Sequence, residues 1–174
     1  MSYRIDATVP VFQEVRRILD EEIGAAVADL RRPGGPNADD VHDARRRIKK
    51  VRSLLRLVRA EVGPSAVRLA NGELRAIAGS LSARRDLDAR VECAQELIRH
   101  ARPDELPALQ ALEQGLAAEA AAGAAALDHS VVFDAVSGLN RTRAWLSRIP
   151  PRHDGWPALG PGFVRQYRRG KSDF

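Results

Sequence analysis

Apolar side chains recur every three or four residues along most of this chain, and the β-branched alternation of strands is scarce, so the pattern predicts helices throughout. Val11, Val15, Ile18, Leu19, Ile23, Ala26 and Leu30 fall on the inner face of a first helix, which Pro33, Gly34, Gly35 and Pro36 end. A second helix is predicted from a cap at Asp39 or Asp40 to about Val62, where Gly63 and Pro64 break it. Residues 65–100 read as one long helical stretch, bent or interrupted near Gly72 and Gly79, since glycine disfavours helix interiors. Further helices are predicted over 104–127 and 131–148. A loop rich in Pro and Gly fills 150–162, and a short sixth helix starts at Phe163. Trp145 keeps helical spacing with Leu139, Thr142 and Ile149 and is expected in the core, while Trp156 is expected to pin the long loop. The predicted fold class is all-α, a helical bundle of about five to six helices in a single domain over residues 1–174.

A length of 174 residues suits one domain with a substantial core. The lone cysteine, Cys93, can form no intrachain disulfide and joins no Cys/His cluster, so it is expected as a buried small hydrophobe in a reducing compartment. Residues 1–10 lack the pattern of a signal peptide, and no segment has the run of about 18 to 20 apolar residues of a membrane helix. A cytoplasmic protein without a membrane partner is the expectation.

Charge sharpens this picture. The net charge is +5, yet residues 41–60 alone hold eight Lys and Arg against Asp43, a local +7, leaving −2 for everything else. Within that helix Val41, Ala44, Ile48, Val51, Leu55, Val58 and Val62 form the core-facing stripe. His42, Arg45, Lys49, Arg52, Arg56 and Arg59 repeat the same spacing one residue later, about 100° around the helix. These cations therefore flank the buried seam and should line a groove or the mouth of a cavity. Like charges at such spacing repel, which a bound polyanion would relieve, and guanidinium forks match phosphate oxygens. His42 is expected in the first turn, where free amides and the helix dipole also favour an anion.

The run Val41-His42-Asp43-Ala44-Arg45-Arg46-Arg47-Ile48-Lys49-Lys50-Val51-Arg52 resembles the opening motif of the conserved histidine α-helical domain, the CHAD family: a histidine, an arginine three residues on, then a basic pair and another arginine. His42, Arg45, Lys49, Lys50 and Arg52 match it. A second similarity lies at Arg85, Asp86 and Asp88, an arginine-aspartate signature of the following helix. A third lies at 163–171, where Tyr167, Arg168, Arg169 and Lys171 resemble the basic helix that opens the family's second half. The resemblance implies a two-bundle domain, of which this chain resembles the N-terminal half, binding inorganic polyphosphate without transforming it. Its implied contacts, together with basic neighbours on the same helices, are His42, Arg45, Arg46, Lys49, Lys50, Arg52, Arg56, Arg85, Arg165, Arg168, Arg169 and Lys171. Asp86 and Asp88 are expected to orient basic groups across a helix interface. A homo-oligomer, or a partner chain completing the domain, is a further expectation.

Catalysis finds less support. No Gly-rich phosphate loop of the Walker type or dinucleotide fingerprint is present, and His42, His100, His129 and His153 are scattered, none with a histidine four residues on. No catalytic residue, metal or cofactor is expected. The alternatives are histidine phosphotransfer through His42 and phosphate-backbone binding of nucleic acid, for which no aromatic residue interleaves the basic helix.

Overall fold

In the computed structural model, residues 5, 6, 8–122, 129–150 and 152–172 are described, with side chains outside 83–88, 121, 122 and 172. The described residues are all-α, in the order α1 (Val11–Leu30), α2 (Ala38–Leu57), α3 (Arg59–Val62), α4 (Pro64–Ser80), α5 (Ala83–His100), α6 (Leu106–Ala122), α7 (His129–Ser147) and α8 (Trp156–Ser172). Eight helices replace the five or six expected. The excess arises because two predicted stretches are each divided, the second helix at Val58 and the 65–100 stretch at Leu81 and Ser82.

The main core is built from α1, α2, α4 and α7, with α3 and α8 closing one side. Ile23, Leu55, Leu74 and Leu139 are fully buried at its centre, one from each of the four main helices. Every core residue predicted for the first helix is buried except Val11, which packs at the margin. The helix α2 begins earlier than expected. Asn37, not Asp39 or Asp40, is its cap: the Asn37 side chain accepts from the Asp40 amide at 2.9 Å while Asp40 accepts from the Asn37 amide at 3.0 Å. His42 is consequently the fifth residue of α2, past the four amides a helix leaves free, so it does not sit on the first turn as the sequence suggested.

The predicted second helix divides at Val58. There the Glu61 amide turns to the Val58 carbonyl at 3.0 Å, so the Leu57 carbonyl loses the partner a continuous helix would supply. α8 packs onto that carbonyl with Gly162. Gly63, at φ +98°, then makes the turn that only glycine adopts freely, and Pro64 starts α4. The long stretch 65–100 divides at Leu81 and Ser82, just after Gly79, whereas Gly72 lies inside α4 without a break. α5 and α6 make a hairpin that packs chiefly on itself.

The predicted loop 150–162 is shorter than expected, because α8 begins at Trp156 and runs through Pro161. Interior proline costs helix stability; burial of Ala158, Leu159, Gly160 and Gly162 against the bundle offsets it. Trp156 pins no loop: it stacks on Phe163 with centroids 5.9 Å apart and stays exposed. Trp145 lies at the core margin, half-buried, and Cys93 is exposed on α5, so the expected burial of that thiol is overturned.

A carboxylate holds the remaining loop in place. Glu61 on α3 is completely buried and accepts from the backbone amides of Arg152 and His153 at 3.0 and 2.9 Å and from His153 Nδ1 at 2.7 Å. Burial works to raise its pKa, but those hydrogen bonds and the His153 charge outweigh it and hold the carboxyl below the ordinary glutamate value. A depressed carboxylate contributes stability above its unfolded pKa, about 4.3, and loses it as pH falls through the lower folded value. Glu61→Ala should cost about 2–4 kcal/mol at neutral pH, because it strands donors at a buried site. Denaturant titrations should show that cost shrinking below about pH 4, the range in which the wild-type carboxylate itself titrates.

Candidate functional site

The cations of α2 separate into two sets on either side of its buried stripe. On the flank facing α1, Arg47 meets Asp29 at 2.8 Å and Glu22 at 3.5 Å, and Lys50 meets Glu22 at 3.0 Å. Hydrogen bonding to Asp29, against the opposing effect of burial, raises the Arg47 pKa. Arg46 pairs along the helix with Asp43 at 3.2 Å. These ions are compensated within the fold.

The other flank is not. Among the described residues no carboxylate lies within ion-pair distance of Arg45, Lys49, Arg52, Arg56 or Arg59. Arg45, Arg52, Arg56 and Arg59 are half-buried, and each has its Nε shielded from solvent without a hydrogen-bond partner. The reason is positional: at Arg52 and Arg59 this flank meets α4 and α8, which contribute more arginines. Burial, then the nearby guanidiniums of Arg56 and Arg75, lower the pKa of Arg52; burial, then Arg165 and Arg68, lower that of Arg59. Both remain cationic at neutral pH.

Arg68 and Arg75 were not expected from the sequence. Their seven-residue separation puts them on one face of α4, a detectable signal, but only the packing of α4 on α2 makes that face part of the cationic surface. Arg59, present on the predicted stripe, continues it across the break at Val58. Of the α8 residues, Arg165 approaches Arg59, Arg169 follows one turn later on the same flank, and Lys171 lies on another flank beside Tyr167. Lys49 and His42 are exposed on α2. The Arg85, Asp86 and Asp88 side chains lie outside the described residues.

A cleft of about 620 Å³ bordered by Leu30, Arg32, His129 and Phe133 and another of about 210 Å³ between α4 and α7 include none of the stripe residues. Among the described residues no three His, Cys, Asp or Glu side chains gather as a metal site, and no helix is long and apolar enough to cross a membrane.

Fold and surface together define an α-helical bundle with a concentrated cationic face on which, among the described residues, Arg45, Lys49, Arg52, Arg56 and Arg59 have no carboxylate within ion-pair distance. The family model described as CHAD domain matches residues 13–174, and the chain belongs to the CHAD domain family. No curated protein and no solved structure matches it.

Proposed function

We propose that this chain is a non-catalytic binding module for inorganic polyphosphate, held on the flank of α2 and α3 that faces α4 and α8. One observation carries the reading: four arginines on a single stripe keep a shielded Nε–H without an acceptor. A buried donor left unsatisfied costs about 1–3 kcal/mol, and native folds rarely leave several together. Phosphate oxygens would supply acceptors and opposite charge at once. Membership of the CHAD domain family supports the same ligand. Contacts of this kind neutralise charge without activating a nucleophile, so the reading includes no hydrolysis and no chain extension.

Titration calorimetry with long-chain polyphosphate, orthophosphate and single-stranded DNA side by side tests it. The expected order is polyphosphate far above orthophosphate and above DNA; equal affinity for DNA would assign a general phosphate-backbone binder instead. Phosphate release in the same samples should not exceed the protein-free rate. His42→Gln, which keeps a donor, should retain most of the affinity, and acid-labile phosphoprotein dependent on His42 would move the assignment to phosphotransfer.

A further inference from the structure

Among the described residues, the exposed apolar side chains of α8 and of the α5–α6 hairpin lie on elements of opposite charge. On α8, Trp156, Phe163 and Tyr167 follow one another along a face with relative exposures of 67, 48 and 74%. α8 holds four Lys and Arg and no acid. On the α5–α6 hairpin, Leu97 and Leu112 are each 50% exposed. At 100° per residue these leucines border the hairpin seam on the side opposite the hydrogen bond from Gln95 to Glu113. Residues 89–119 carry six acids against three arginines, a net −3.

Contiguous exposed apolar side chains rimmed by charge mark association surfaces. Pairing α8 with α8 would bring two +4 helices together. An anionic lipid surface or a nucleic acid would cover α8 alone and leave the leucines of an acidic hairpin in water. A second copy of this chain covers both faces at once, with charges that attract. We propose that α8 of one copy docks against the α5–α6 hairpin of another, burying Tyr167 and Phe163 against Leu97 and Leu112. Such a contact joins different patches of the two copies, so it forms a two-fold dimer when reciprocal and a longer assembly when it is not.

The test is analytical ultracentrifugation of the full chain without polyphosphate, which keeps it independent of the ligand reading. Wild-type protein should associate with rising concentration, and more weakly at high salt. Tyr167→Glu, facing an acidic hairpin, and Leu112→Lys, facing a basic helix, should each weaken association tenfold or more while melting as wild type does. Both positions are exposed, so the monomer fold tolerates them. Combining the two substitutions places an opposite-charge pair across the contact and should restore association beyond either single variant. A monomer at every concentration, association indifferent to Leu112→Lys, or a double variant no stronger than the singles would each overturn the proposal. Monomeric protein that instead partitions onto phosphatidylglycerol vesicles through Tyr167 would overturn it as well and assign α8 to a lipid surface.

Discussion

Replacing Arg45, Lys49 and Arg52 together by alanine should lower polyphosphate affinity about a thousandfold while leaving the melting temperature unchanged or slightly raised. The affinity figure follows from three charge-assisted contacts of about 1.5 kcal/mol each, together about 4–5 kcal/mol. Stability behaves differently because none of the three has a carboxylate partner within ion-pair distance among the described residues, and Arg52 is repelled by Arg56 on its own stripe. Deleting them relieves repulsion and strands no acid. The log-log salt slope should also fall in magnitude by about 2, at about 0.7 per neutralised phosphate by analogy with single-stranded nucleic acid. Arg46→Ala is the comparison, since Arg46 is already paired with Asp43; it should weaken binding less than any one of the three. Lys50→Ala should behave in the opposite sense, costing stability by exposing the nearly buried Glu22 to fewer partners. A folded triple variant that binds with an unaltered salt slope would show the stripe to be a solvated face.

A large structural effect that also reaches the binding face should come from Gly162→Ala. A methyl group there would stand 1.9 Å from the Leu57 carbonyl oxygen and 2.6 Å from its carbon, and both belong to backbone, which cannot swing aside. α8 must therefore lift from α2 and α3, loosening the burial of Ala158 and Leu159. Overpacking of this kind costs about 1–3 kcal/mol, and the lost contacts of α8 put the expected value at the upper end. Arg165 would retreat from Arg59 in the same movement. Polyphosphate affinity should then drop along with stability, whereas Gly170→Ala, with open space at its Cβ, should change neither. Equal melting temperatures for Gly162→Ala and wild type would mean that α8 is not seated as the geometry describes.

The core stripe of α1 and that of α2 were legible because helical periodicity alone selects Val15, Ile18, Leu19 and Ile23 in one and Ala44, Ile48, Val51 and Leu55 in the other. The basic stripe was legible for the same reason, one residue out of phase. The start of α8 was not. Trp156, Pro157 and Pro161 carry loop propensity, and only burial of the residues between them against α2 and α3 makes the segment helical. The break at Val58 was equally hidden, since nothing local in Leu57, Val58 and Arg59 opposes a continuous helix; the helix above it, meeting the Leu57 carbonyl through Gly162, lies over a hundred residues away in sequence.

By itself, then, the sequence determined an all-α chain, the buried face of each early helix, and a dense band of positive charge beside that face, because all three follow from spacing along one helix. Which of those charges are available was decided by tertiary structure. Arg47 and Lys50 turn to Glu22 and Asp29 of α1, while Arg52 lies near Arg75 of α4 and Arg59 near Arg68 of α4 and Arg165 of α8. A charge is compensated or left open by what packs opposite it, and that neighbour comes from another part of the chain.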